Sequence, residues 1–71
     1  MEKILKQTEA DIAEVTKKLK VLRTRRTKAR TNNLLYSLDR EILGFEAMLS
    51  DLRRTKAEIE EYIKTRSDDN A

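Results

Sequence analysis

Apolar residues recur along the first half of the chain at alternating intervals of three and four positions. This spacing is typical of the side of an α-helix that packs against another helix in a coiled coil. Two of the positions, Thr8 and Arg26, are polar. We therefore predict a first helix over about residues 3–30. Its apolar stripe consists of Leu5, Thr8, Ile12, Val15, Leu19, Leu22, Arg26 and Ala29.

The second half of the chain repeats the same spacing, with Lys56 as the one polar position. The regularity predicts a second helix over about residues 34–66, followed by a polar tail at 67–71. The stripe of this helix consists of Leu35, Leu38, Ile42, Phe45, Leu49, Leu52, Lys56, Ile59 and Ile63.

The two stripes do not share one register. Continued beyond Ala29, the first pattern would place apolar residues at Asn33 and Tyr36 instead of Leu35 and Leu38. Asn tolerates the left-handed conformation that ends many helices, and Thr or Asn can cap the next one. We predict a turn at residues 31–33. One long bent helix is the alternative, because this stretch contains neither Gly nor Pro.

A reversal near residue 32 brings the two stripes into register with each other. It places Leu22 opposite Ile42, and Leu19 opposite Phe45. We therefore expect an all-α fold, with residues 1–71 forming one antiparallel two-helix coiled-coil hairpin. Its dimerisation into a four-helix bundle is a further expectation, since a core of this size is thin.

Charges beside the stripes favour the same arrangement. In the hairpin Arg23 is expected near Asp39, and Arg25 near Glu41. A parallel homodimer would instead bury Arg26 against Arg26, which is costly.

Composition makes catalysis improbable. The chain has no Cys, no His and a single Gly, so it lacks the usual nucleophile–base pairs and a Gly-rich phosphate loop. Glu58, Glu60 and Glu61 read as solvated carboxylates on one helix rather than as ligands of a metal ion. We expect no cofactor, no metal, no small-molecule substrate and no membrane segment, and a cytoplasmic location.

Positive charge is concentrated around the predicted turn. Residues 15–46 carry nine basic and three acidic side chains, a net +6, whereas the other 39 residues carry seven and ten, a net −3. This basic tip suits phosphate groups or an acidic protein surface. The plainer interpretation is a solvated helix face that complements the helix dipole. The basic tip comprises Lys17, Lys18, Lys20, Arg23, Arg25, Arg26, Lys28 and Arg30.

The second helix has more apolar surface than one stripe requires. A mid-helix Gly costs about 1 kcal/mol relative to Ala, yet it permits the close approach of another helix. We therefore predict a second helical interface, with scattered surface apolar residues as the alternative. Its residues are Leu34, Tyr36, Leu43, Gly44, Ala47, Met48 and Tyr62.

These features favour a non-enzymatic protein–protein interaction module. We expect a small adaptor, assembly factor or inhibitor that docks on a larger protein or pairs with itself. Nucleic acid, contacted at its phosphates through the basic tip, is the alternative partner. A structural spacer, or an arm of a larger protein, is a third interpretation. The motifs point to no known family.

Overall fold

The computed structural model describes residues 2–70, with side chains as far as Arg66. Helix α1 spans Glu2–Lys28 and helix α2 spans Asn32–Asn70. The two pack side by side in opposite directions, as a rod of 59 × 14 × 13 Å. The protein is therefore an all-α helical hairpin, which confirms the predicted fold class and rules out a single bent helix.

The core is the contact between the two apolar stripes. Every stripe position except Arg26 is buried or half-buried. Leu19 is the most completely enclosed side chain, with 2 % of its surface exposed. The central cluster is formed by Val15, Leu19, Leu22, Leu38, Ile42 and Leu49.

Thr8 is a buried polar residue near the open end of the hairpin. Its hydroxyl donates a hydrogen bond of 2.8 Å to the backbone carbonyl of Ile4, one turn earlier in helix α1. The side chain thus satisfies its donor within its own helix, and this is why a Thr is tolerated in the stripe.

The connection lies earlier in the chain than predicted. Helix α1 ends at Lys28 and helix α2 begins at Asn32, so the turn consists of residues 29–31 instead of 31–33. No described residue has a positive φ angle, so no left-handed Asn is used. Instead the Thr31 hydroxyl accepts a hydrogen bond of 3.2 Å from the backbone N–H of Leu34. Thr31 is therefore the N-cap of helix α2, which places Asn32 and Asn33 in its first turn.

Helix α2 also extends further than predicted, because it continues to Asn70 where we expected a polar tail after residue 66. The chain contains no Pro, and polar residues cost only tenths of a kcal/mol each in a helix. Continued backbone hydrogen bonding therefore carries the helix past the last apolar contact. Ala71 lies outside the described residues. Neither helix, over the residues described, contains an apolar stretch that would span a bilayer.

Candidate functional site

One side of helix α2 carries apolar residues that nothing in the hairpin covers. Tyr36 and Leu43 each have 65 % of their surface exposed, although both are large and apolar in character. With Arg40, Gly44 and Ala47 they recur at intervals of three and four positions, on the side of the helix turned away from helix α1. We call these five residues the outer face of helix α2.

Gly44 lies at the centre of this outer face. Apart from its chain neighbours and the backbone of its own helix, no described residue lies within 4 Å of a Cβ atom built on Gly44, so the hairpin itself does not require a Gly at this position. The helix nevertheless bears the conformational cost of Gly, about 1 kcal/mol relative to Ala. A Gly with free space around its Cα atom, in an exposed apolar stripe, leaves room for another helix to approach closely.

Three residues of the predicted second interface lie elsewhere. Leu34 lines a shallow surface groove next to the turn, together with Lys28. Met48 borders a groove between the two helices. Tyr62 belongs to the open end, about 21 Å along the axis from Met48 at the rise of an α-helix. All three are about half exposed, but they do not join the outer face of helix α2 as one surface.

Three cations of the basic tip contact helix α2 or a carboxylate of their own helix. The Arg23 guanidinium lies 3.2 Å from the Glu46 carboxylate. The Lys18 ammonium lies 3.6 Å from Glu14 and 5.8 Å from the centre of the Phe45 ring. These three contacts leave less charge available to a ligand than the sequence suggests.

Arg26 is the third of these cations, and it explains the basic residue in the apolar stripe. Its side chain leaves the core and donates a hydrogen bond of 2.5 Å from Nε to Asp39 Oδ1. The hydrogen bond, and then the attraction of that carboxylate, raise the pKa of Arg26, while partial desolvation opposes them. Asp39 is the partner that we predicted for Arg23, so that pairing was wrong. An Arg side chain can reach past its own layer, and Arg23 pairs with Glu46 instead.

The other five cations of the basic tip form no ion pair with any described carboxylate, and all five are exposed. Two of them, Lys17 and Lys20, lie on the side of helix α1 that faces away from helix α2. Lys28 is the last residue of helix α1 and lines a groove shared with helix α2. Arg25 lies at the edge of that side, and Arg30 lies in the turn. The unpaired positive charge therefore gathers on the outside of helix α1 and at its end.

Two residues that belong to these surfaces were not predicted from the sequence. Arg40 lies over the ring of Tyr36, with its guanidinium carbon 5.9 Å from the ring centre. Val21 is 45 % exposed and lines a shallow groove with Lys17 and Arg25. Intervals of four residues, from Tyr36 to Arg40 and from Lys17 through Val21 to Arg25, are the signal that would have revealed both.

Neither the outer face of helix α2 nor the basic outside of helix α1 forms an enclosed pocket in the described part of the chain. The concave regions are open grooves between exposed side chains. Among those same residues no group of three carboxylates is placed to hold a metal ion. Comparison with protein-family models, with curated proteins and with solved structures finds no match for this chain.

Proposed function

We propose that this chain is a non-enzymatic protein–protein interaction module. It acts as a small helical adaptor, assembly factor or inhibitor, and it binds another polypeptide through the outer face of helix α2. The observation that carries the proposal is the exposure of Tyr36 and Leu43, beside a Gly that the hairpin does not need. The proposal includes a cytoplasmic location, supported by a cysteine-free chain with 41 % charged residues.

The physical basis is the burial of apolar area by a partner helix. Transfer of apolar surface out of water contributes about 25 cal/mol per Å², and a Leu side chain that is mostly exposed still has most of that gain available. Amphipathic helices bind in this way, with apolar residues at intervals of three and four as anchors. Arg40 and the tyrosine hydroxyl supply polar contacts at the edge of such an interface.

Site-specific photo-crosslinking tests this proposal. A photoreactive amino acid replaces Leu43 in one variant and Val21, an exposed apolar residue of helix α1, in the other. We expect polypeptide adducts from position 43 well above those from position 21 after irradiation of the cells that make the protein. Equal and low yields from the two positions would contradict the proposal. Mass spectrometry of the adducts identifies the partner.

A second candidate function is nucleic-acid binding through the basic tip. The observation that favours it is that Lys17 and Lys20 on the outside of helix α1, and Lys28 at its end, have no carboxylate partner among the described residues. Such an array would neutralise phosphates with little dependence on base sequence. The modest net charge of +3 and the 4 % aromatic content, which limits base stacking, place this candidate second.

A further inference from the structure

The longest stretch of the chain without a carboxylate covers the second half of helix α1 and the turn. No acidic residue occurs between Glu14 and Asp39, whereas eight basic residues lie there. Three of the eight pair with carboxylates, and the other five are exposed without such a partner among the described residues. Glu14, which is bridged to Lys18, and Glu41 border these five cations. We call the five the unpaired basic surface: Lys17, Lys20, Arg25, Lys28 and Arg30.

We infer that the unpaired basic surface binds the backbone of a nucleic-acid double helix rather than a single strand. The inference rests on the second candidate function, because it names the form of nucleic acid that the same cations would hold. Duplexes of DNA and of RNA share the required chemistry, which is a pair of phosphate strands on the outside of stacked bases.

The number of cations suits the phosphate density of a duplex. Lys17 and Lys28 are eleven residues apart in helix α1, which is about 16 Å along the helix axis. A duplex carries one negative charge per about 1.7 Å of its axis, so about ten phosphates lie within that length. About half of them face any one side of the duplex, which is close to the number of cations in the unpaired basic surface.

The absence of aromatic rings distinguishes a duplex from a single strand. Residues 2–31 contain no Phe, Tyr or Trp. The Phe45 ring is half-buried beside the Lys18 ammonium, and Tyr36 belongs to the outer face of helix α2. Proteins that hold single strands stack the bases on aromatic side chains. In a duplex the bases are already stacked on one another, so a cationic surface without rings is sufficient.

The uncharged side chains of this surface are not suited to reading bases. Thr24 and Thr27 continue the helical spacing of the two lysines on the outside of helix α1. The Thr24 hydroxyl donates a hydrogen bond of 3.0 Å to the backbone carbonyl of Lys20. The Thr27 hydroxyl donates one of 2.6 Å to the carbonyl of Thr24. Because both donors are used within the helix, contacts to phosphates dominate, and these carry no sequence information.

The unpaired basic surface and the outer face of helix α2 lie on opposite sides of the hairpin, so a duplex and a polypeptide can bind at once. Each side carries an exposed apolar residue, Val21 on helix α1 and Leu43 on helix α2. Val21 shares a groove with Lys17 and Arg25. A carboxylate introduced at either position changes the net charge equally, but only the one at position 21 lies among the cations.

A fluorescence-polarisation competition at low salt tests the form of the nucleic acid. A labelled DNA duplex of about 20 base pairs is displaced by a DNA duplex of another sequence, by an RNA duplex, or by the separated strands. We expect the better of the two duplex types to compete at least about 10-fold more strongly than its strands. DNA duplexes of different sequence are expected to compete equally. Single strands that compete as well as the duplexes would overturn the inference.

Two single substitutions test the position of the contact. Val21→Glu is expected to weaken duplex binding at least about 3-fold, because the carboxylate would lie among the cations and repel phosphate. Leu43→Glu is the matched control, since it adds the same charge on the opposite side, and it is expected to leave the affinity nearly unchanged. Circular dichroism verifies that both variants keep their helices. Equal losses of affinity in the two variants would overturn the assignment of the surface.

The outcomes also separate this inference from the functions proposed above. If single strands bind as well as duplexes, nucleic-acid binding stands and the double helix is wrong. If no nucleic acid binds at low salt, the inference and the second candidate function are both wrong, whereas polypeptide adducts from position 43 would still support the interaction module. Polypeptide adducts from position 21 would place a protein on the unpaired basic surface and would also overturn the inference.

Discussion

Arg26 Nε donates a hydrogen bond of 2.5 Å to Asp39 Oδ1 and so joins the end of helix α1 to the first turns of helix α2. Arg26 occupies a stripe position, but its head lies outside the core, with about half of the side chain exposed. A guanidinium on a long apolar stem can cover the last layer of the core and still remain in water. The pair therefore links the two helices beside the turn.

A charge swap tests this relationship. Arg26→Asp is expected to lower the melting temperature, because two carboxylates would then face each other beside the turn. Adding Asp39→Arg to the same chain is expected to restore most of the loss. Thermal unfolding followed by circular dichroism measures both variants. If the double variant melts no higher than the single one, the pair does not contribute to the hairpin in solution.

The same pair predicts a stability that is nearly independent of pH around neutrality. Asp39 raises the pKa of Arg26, so the stabilisation is complete below the unfolded-state pKa of Arg and is lost only as pH rises through the higher folded value. That range lies far above neutral pH. No His or Cys side chain is present to titrate near pH 7. We expect urea midpoints that agree between about pH 6 and about pH 9. A marked change within that interval would contradict the assignment.

The cap at Thr31 predicts a measurable cost for its removal. Thr31→Ala removes the hydroxyl that accepts the N–H of Leu34, and it is expected to destabilise the hairpin by about 1 kcal/mol. Thr31→Ser keeps the hydroxyl and serves as the control. Chemical denaturation gives both free energies of unfolding. Equal stability of the Ala and Ser variants would show that the cap does not form.

Two apolar residues of helix α1 that lie close together in the sequence differ in burial, and this predicts different costs for their substitution. Leu19 is 2 % exposed, and Leu19→Ala is expected to cost about 2–5 kcal/mol. Val21 is 45 % exposed, and Val21→Ala is expected to change stability by less than about 0.5 kcal/mol. Because a hairpin of this size has a thin core, the Leu19→Ala variant is expected to unfold far below the wild-type temperature. Similar midpoints for the two variants would contradict the placement of the stripe.

The hairpin was predictable because its two stripes carry the same periodic pattern and match when the chain reverses. Apolar burial depends on residue type and spacing, which the sequence states directly. The position of the turn depended on a smaller effect. Thr31 and the two Asn residues are all acceptable caps, and the choice among them rests on one hydrogen bond to Leu34. Differences of this size lie below what a sequence pattern resolves.

Ion pairs were less predictable than apolar layers for a geometric reason. Heptad positions define which residues lie at one level, but an Arg side chain spans more than one level. Arg23 therefore reaches Glu46, and Asp39 is left to Arg26. Exposed pairs of this kind contribute little, typically up to about 1 kcal/mol. Misplacing them consequently left the predicted fold unchanged, although it changed which cations of the basic tip remain unpaired.

Gly44 gives a prediction that distinguishes stability from association. Gly44→Ala is expected to stabilise the hairpin by about 1 kcal/mol, since the new methyl group meets nothing. The same variant is expected to bind a partner polypeptide at the outer face of helix α2 more weakly than the wild type, because the methyl group would hold a partner helix away. Chemical denaturation measures the stability, and the yield of photo-crosslinked adduct from position 43 measures the binding. A loss of stability would show that Gly44 is packed within the hairpin.

The unpaired cations predict a steep salt dependence if the protein binds nucleic acid. A fluorescence-polarisation titration with a labelled duplex is expected to give a log–log slope of affinity against salt near −4 to −5 if about five phosphates are neutralised. Replacing the unpaired set by Gln is expected to flatten that slope; the set is Lys17, Lys20, Arg25, Lys28 and Arg30. The matched control removes five charges from the rest of the chain: Lys3, Lys6, Arg53, Arg54 and Lys64. Equal losses in the two variants would mean that only net charge matters, and no binding by the wild type at low salt would remove this second function.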